Sequence, residues 1–160
     1  MVKVHITPKE AELRVERAVQ LFKEGYNCSQ SVVGAFADLY GFTQEQALLM
    51  SASFGGGIGR MRQTCGAACG MFVLAGLQSG TTIGSDREGK SRNYAMVQQL
   101  AESFKQINGS IICAELLGLK SNAEITAQAS ERTDSYYKKR PCSEMVRTAA
   151  RLFANAISQD

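Results

Sequence analysis

The sequence CGAACGMFVLAGL, residues 65–77, is the longest nearly apolar stretch of the chain and decides its fold class. We predict a very apolar helix here, from about Gln63 to Gln78. The stretch is too short and contains too much glycine to span a bilayer. Its small residues at positions 66–68 and 70 leave room for another helix, a cofactor or a second cysteine to approach closely.

Amphipathic patterns and helix-capping signals on both sides of this stretch predict further helices. Thr7-Pro8-Lys9-Glu10 begins the first helix with a capping box, and Thr43-Gln44-Glu45-Gln46 begins the third in the same way. No segment alternates polar and apolar residues as a strand would. We therefore predict an all-α fold, a single-domain bundle of about six to eight helices over residues 1–160. The other predicted helices are about 7–25, 28–40, 43–53, 86–107, 111–117 and 142–157, with a polar segment of weak helical spacing at 120–135 and a loop at 136–141.

Composition narrows the classes of function. The chain has 160 residues, of which 44% are hydrophobic and 21% charged, as in a typical soluble domain. Its net charge of +3 is small and scattered, so we expect neither nucleic acid nor a membrane as a partner. Residues 1–10 lack the apolar segment of a signal peptide, and we expect a cytoplasmic protein.

The cysteine and histidine counts constrain the chemistry further. Thiols stay reduced in the cytoplasm, and five cysteines, an odd number, agree with free thiols rather than a disulfide framework. His5 is the only histidine. A single histidine in an N-terminal arm argues against Cys–His catalytic pairs and against Cys₂His₂ zinc sites.

Four of the five cysteines stand where the sequence predicts the start of a helix, namely Cys28, Cys65, Cys113 and Cys142. Unpaired backbone N–H groups and the positive end of the helix dipole stabilise a thiolate at such positions. We expect the four sulfur atoms to lie within about 8 Å of one another. We also expect at least one of these thiols, first of all Cys65, to have a pKa well below that of a free cysteine. The fifth, Cys69, lies one turn into its helix and should behave as a small apolar side chain. The alternative is that all five are buried apolar residues, as free cysteine often is.

A glycine-rich loop, FGGGIGRMR at residues 54–62, precedes the apolar helix. It lacks the spacing of a P-loop, and no βαβ unit surrounds it. We expect its backbone to pass close to the sulfur site, and Arg60 and Arg62 to lower a thiolate pKa or to neutralise a negatively charged cluster. An anion bound at the loop is the alternative. The residues predicted to contact a cofactor are Gly55, Gly56, Gly57, Gly59, Arg60 and Gly66.

Five segments occur in an order that makes the chain similar to a known family. They are NCSQSV at 27–32, FGGGIGR at 54–60, CGAACG at 65–70, CAELLG at 113–118, and Cys142. Over about residues 10–155 the chain resembles the family of redox-active proteins named for its Cys…Gly/Cys/Ala-x-x-Gly…Cys…Cys pattern. The resemblance implies a redox role, as an oxidoreductase or an electron-transfer protein, and four signature cysteines, which are the four named above. Cys69 occupies a variable position of the signature and is a fifth ligand, a resolving thiol or a core residue.

Three functions agree with these residues. In the first, Cys28, Cys65, Cys113 and Cys142 ligate an iron–sulfur cluster or a zinc ion. In the second, no cofactor is bound, and Cys65 acts as a nucleophile that forms a disulfide with Cys28, Cys113 or Cys142. In the third, the thiols are buried in a helical interaction module. We favour a redox-active cysteine site and place the cluster or metal slightly ahead of the dithiol. The sequence does not identify the electron donor or acceptor, and it is compatible with a homodimer.

Overall fold

The computed structural model describes residues 3–159, and this part of the chain forms eight α-helices and no β-strand. The predicted all-α fold is therefore confirmed. Two short 3₁₀ turns, Ala37–Tyr40 and Ala52–Phe54, supplement the helices. The helices are α1 (Pro8–Lys23), α2 (Cys28–Gly34), α3 (Gln44–Ser51), α4 (Gly66–Ser79), α5 (Arg87–Asn108), α6 (Cys113–Leu116), α7 (Asp134–Lys139) and α8 (Cys142–Ile157).

Most helix starts follow the capping signals of the sequence. The hydroxyl of Thr7 accepts a hydrogen bond from the Glu10 amide at the start of α1. Thr43 and Gln46 form the full reciprocal capping box at the start of α3. At the start of α5, the Asp86 carboxylate accepts a hydrogen bond of 2.8 Å from the Gly89 amide, which stabilises the first turn.

Helix α2 ends earlier than predicted, at Gly34, and the chain continues as a 3₁₀ turn. Glycine is a poor helix former. The space that a Cβ of Gly34 would occupy is also taken, because Leu21 and Gln44 side-chain atoms lie 3.1 and 3.2 Å from that position. Just after the helix, the Ala35 carbonyl accepts a hydrogen bond of 2.9 Å from the Arg14 guanidinium. Contacts with α1 and α3 therefore stabilise the end of α2 at Gly34.

The prediction of a loop at 136–141 is wrong for most of its length, because α7 occupies 134–139. Thr133 caps this helix by accepting a hydrogen bond from the Tyr136 amide. Aromatic packing then fixes it against α1, since the Phe22 and Tyr137 rings meet edge to face at 5.9 Å. Residues 120–133, whose helical spacing is weak, contain neither helix nor strand.

The apolar stretch forms the centre of the fold as α4, which packs against α2, α5 and α8. Met71 and Leu74 of this helix are completely buried. Next to it, Phe36 and Phe153 meet edge to face at 5.2 Å. No helix within residues 3–159 has the length and apolar character needed to cross a membrane.

Helices α2 and α4 approach so closely that side chains are excluded at their contact. A Cβ on Gly70 would lie 3.0 Å from both the Ser29 carbonyl oxygen and the Val32 Cβ. Both neighbours are fixed to the backbone of α2, so they can yield only if the helix moves. The prediction that small residues permit close helix approach is confirmed at this position.

We predict that Gly70→Ala and Gly76→Ala, two substitutions in α4, have opposite effects on stability. Gly76 has no atom within 4 Å of its Cβ position, so alanine there should raise the free energy of unfolding by about 0.5–1 kcal/mol through helix propensity. Alanine at Gly70 should lower it by about 1–3 kcal/mol through overpacking. Urea unfolding followed by circular dichroism measures both. Equal changes would contradict a close contact at Gly70.

Candidate functional site: a cavity lined by four cysteines

The structure brings the four signature cysteines onto the wall of one cavity of about 460 Å³. Cys28, Cys65, Cys113 and Cys142 all line it, although more than a hundred residues separate the first from the last. Cys69 does not line it. The four cysteines thus share one cavity wall, whereas the predicted separation of their sulfur atoms and their roles as ligands or as redox groups stay predictions.

Each of the four cysteines stands at a helix start, as predicted. Cys28, Cys113 and Cys142 are the first residues of α2, α6 and α8. Cys65 is the N-cap residue of α4, one position before its first helical residue. The predicted start of α4 at Gln63 was therefore too early, and the reason lies in the pairing of the preceding residues.

A short antiparallel backbone pairing holds Cys65 next to Cys113. The Cys65 amide donates to the Ile111 carbonyl at 2.6 Å, and the Cys113 amide donates to the Gln63 carbonyl at 2.6 Å. An isolated bridge between Thr64 and Ile112 lies between these bonds. Because residues 62–65 satisfy their backbone groups in this way, α4 starts after them, and two cysteines distant in sequence become neighbours.

The glycine-rich loop wraps around the sulfur atoms, as expected from the sequence. The Gly56 amide lies close enough to the Cys28 sulfur to lower the pKa of that thiol. A Cβ on Gly57 would lie 2.5 Å from the Cys113 Cβ, and one on Gly66 would lie 2.7 Å from the Phe54 carbonyl oxygen and 3.4 Å from the Cys28 sulfur. Glycine is required here because the backbone passes so close to the thiols.

Five consecutive residues of this loop, 56–60, have left-handed backbone conformations. Ile58, Arg60 and Arg62, with φ of 64°, 59° and 61°, adopt them despite having side chains. Each such non-glycine residue costs about 1–2 kcal/mol, and a β-branched residue such as isoleucine is rarely found there. Strain of this kind concentrates at functional sites. In this loop it places two arginines on the cavity wall.

Four arginines line the cavity, two of which the sequence analysis did not identify. Arg60 and Arg62 were expected, and the Arg62 guanidinium donates to the Cys113 sulfur at 3.7 Å. Arg132 and Arg140 were missed. The sequence signal that could have identified them is the run of aromatic and basic residues at 136–140, just before Cys142. The two tyrosines of this run contact the Arg132 guanidinium through their rings.

The polar segment 120–133 covers part of the cavity and is held down by two of these arginines. Arg60 donates to the carbonyl and the hydroxyl of Thr126, both at 2.9 Å. From within the segment, Arg132 donates to the carbonyls of Phe22 and Tyr26 at 2.9 Å and stacks over the Phe22 ring at 4.4 Å. Ala127, Ala129 and Ser130 of the segment form part of the cavity wall.

Cys28 has the most acidic thiol of the site, with a pKa lowered to about 6. The largest cause is a hydrogen bond from the Cys142 thiol, which outweighs the opposing effect of burial. The Gly56 amide and the positive charge of Arg132 lower the Cys28 pKa further. In the same pair, donation to Cys28, burial and the Cys28 charge all raise the pKa of Cys142.

The lowered pKa of Cys28 agrees with the prediction that at least one signature thiol is acidic, but the choice of Cys65 as that thiol is wrong. Burial, followed by the negative charge of Cys28, raises the pKa of Cys65 to about 12. The helix-end amides of Ala67 and Ala68 do donate to its sulfur, but their effect is smaller. Burial likewise raises the pKa of Cys69 to about 11 and that of Cys113.

The described residues do not form a ready metal site. Among residues 3–159, no three His, Cys, Asp or Glu side chains are grouped so that they could hold one metal ion. The ligand roles predicted for Cys28, Cys65, Cys113 and Cys142 therefore need a test in solution.

The fold and the thiol-lined cavity are those of an all-α protein with a cysteine-based site, and the comparison with family models specifies its family. Residues 26–156 match the family described as "Putative redox-active protein (C_GCAxxG_C_C)". The chain belongs to this family. It is also similar to a protein of Archaeoglobus fulgidus described as uncharacterized, with 27% identity over 93% of this chain and 96% of that protein. No solved structure matches the chain.

We predict that the alkylation rate of Cys28 rises with pH to half its maximum at about pH 6, because thiolate is the reactive form. Cys142→Ala should raise the Cys28 pKa, since it removes the thiol that donates to the thiolate. Cys69→Ala is the matched control and should leave this pKa unchanged. Mass spectrometry of the alkylated peptide measures the rate. A Cys28 midpoint near that of free cysteine would contradict the hydrogen-bonded pair.

Proposed function

We propose that this protein is a redox protein that carries out thiol–disulfide exchange with Cys28 as the attacking residue and Cys142 as its partner. The observation that supports this most strongly is that Cys28 and Cys142 line one cavity as neighbours, where the Cys142 thiol lowers the pKa of Cys28 and Cys28 raises that of Cys142. Both residues are partly exposed, whereas Cys65 and Cys113 are buried. Of the four cavity cysteines, this pair is therefore the more exposed.

The exchange proceeds in two substitutions at sulfur. The Cys28 thiolate attacks one sulfur of a disulfide RSSR, an S–S bond forms between Cys28 and RS, and the other RS⁻ leaves. The Cys142 sulfur then attacks Cys28, an S–S bond forms between the two cysteines, and the second RS⁻ leaves. The Cys142 proton goes to a leaving thiolate. The substrate disulfide is thus reduced to two thiols, and the two cysteines are oxidised to one disulfide.

We predict that Cys142→Ser traps a mixed disulfide on Cys28, because the first substitution can occur and the second cannot. Cys28→Ser should form a mixed disulfide at Cys142 much more slowly, because burial still raises the pKa of the Cys142 thiol when the Cys28 sulfur is absent. The wild type should instead lose two thiols together and gain an internal disulfide. Intact-mass spectrometry after treatment with a small disulfide distinguishes these products. Cys69→Ser is the control and should behave as the wild type.

The second candidate function is that of an iron–sulfur or zinc protein, favoured by the donor set. Four thiols and four arginines line the cavity, and the Gly56 amide already donates to one sulfur. Cys28, Cys65, Cys113 and Cys142 would be the ligands. The arginines and the amide would stabilise the negative charge that thiolate ligands bring. An iron–sulfur cluster supplies one-electron transfer, whereas zinc in a four-thiolate site is structural.

Elemental analysis of protein purified without oxygen separates the two candidates. Under the first, we predict less than one equivalent of iron, sulfide or zinc per chain, even after reconstitution, and no visible absorption. Under the second, the wild type and Cys69→Ala should retain the metal, and Cys65→Ala should lose it. Stoichiometric metal in the wild type that disappears in Cys65→Ala alone would replace thiol exchange by the metal site.

A further inference from the structure

The cavity wall carries an excess of positive charge. Four arginines line it, no Asp or Glu among the described residues contributes to it, and its one acidic thiol is Cys28. Acidic residues are nearly as common as basic ones in the chain as a whole, with 15 Asp and Glu against 18 Lys and Arg. The excess of positive charge is therefore a local property of this site.

The cavity arginines are not neutralised by the protein. The described residues contain ion pairs between arginines and carboxylates at Arg14, Arg147 and Arg151, and none of these arginines lines the cavity. Arg140 stacks over the Tyr136 ring at 4.9 Å, and no side-chain hydrogen bond from it occurs in the described part of the chain. It retains its guanidinium donors for a ligand.

Arg62 is similarly available. Its contact in residues 3–159 is the long one to the Cys113 sulfur. The other two arginines are engaged, Arg60 with the covering segment and Arg132 with backbone carbonyls. Burial, and then repulsion from Arg62 and Arg140, lower the pKa of Arg60. Like charges close enough to repel are stabilised when an anion lies between them.

We propose that the substrate of this site is a small disulfide whose ends carry negative charge, with Arg62 and Arg140 as the residues that bind those ends. This inference rests on the proposed thiol–disulfide exchange and adds the size and charge of the disulfide. A cavity of about 460 Å³ has the volume of a site for a small molecule. Guanidinium groups bind carboxylates through paired hydrogen bonds, which would orient such a disulfide over Cys28.

The experiment compares three disulfides of similar size that differ in charge. They are dithiodipropionate, which is a dianion, bis(2-hydroxyethyl) disulfide, which is neutral, and cystamine, which is a dication. The second-order rate constant of Cys28 oxidation is measured for each at about pH 8, where Cys28 is thiolate. Because the leaving thiols differ in pKa, each rate constant is divided by that of the same disulfide with a neutral reference thiol, 2-mercaptoethanol, and all rates compared below are these normalised values. We expect the dianion to react about tenfold faster than the dication at low salt. Added potassium chloride should reduce this ratio.

Two arginine variants test where the preference originates. Arg140→Gln should lower the ratio of the dianion rate to the neutral rate about fivefold, since one charge in contact with the ligand is lost. Arg87→Gln makes the same charge change at an exposed residue of α5 outside the cavity, and its ratio should equal that of the wild type. Equal ratios in the two variants would overturn the cavity as the source of selectivity.

The outcomes distinguish this inference from the function on which it rests. Equal rates for the three disulfides, or faster reaction of the dication, would overturn the anionic substrate and leave thiol exchange supported. Failure of all three to oxidise Cys28 would overturn both. Faster reaction of the dianion that depends on Arg140 supports both.

Discussion

The contact between α2 and α4 is the constraint on which the site depends. Each helix begins with a cysteine of the cavity, Cys28 on one and Cys65 on the other. The absence of side chains at Gly66 and Gly70 sets how near the two helices lie. A side chain at Gly66 would meet both the Phe54 carbonyl and the Cys28 sulfur. The packing of these two helices therefore also sets the positions of Cys28 and Cys65, and a substitution that separates the helices would move both thiols.

Burial and local hydrogen bonds, rather than helix ends alone, decide which thiol ionises. All four cysteines stand at helix starts, yet the pKa is lowered to about 6 at Cys28 and raised to about 12 at Cys65. Cys65 receives amide hydrogen bonds from its own helix, but burial outweighs them. Cys28 receives bonds from the Cys142 thiol and from Gly56 as well. The pKa of Cys28 is therefore lower than that of Cys65 because of groups from other parts of the chain.

Local signals predicted most of the fold, whereas the finer features of the site arise from contacts distant in sequence. Capping residues such as Thr7 and Thr43 act on amides three positions away, so the sequence suffices to locate α1 and α3. Glycine spacing likewise indicated a loop near the sulfur atoms. The start of α4 depends instead on pairing with residues 111–114. The involvement of Arg132 depends on carbonyls of Phe22 and Tyr26, more than a hundred residues away, and no local pattern reports that.

The left-handed loop at 56–60 has a consequence for the order of folding. A right-handed helix gains hydrogen bonds as soon as its own residues turn, but this loop has two strained side-chain-bearing residues, Ile58 and Arg60, before any tertiary contact forms. The amides of residues 58–60 bond back to carbonyls of residues 53–55, and the Gly56 amide approaches a sulfur of α2 only once that helix is in place. We expect the loop to close after α2 and α4 have docked, so that a nascent chain exposes its thiols to oxidants until the last stage of folding.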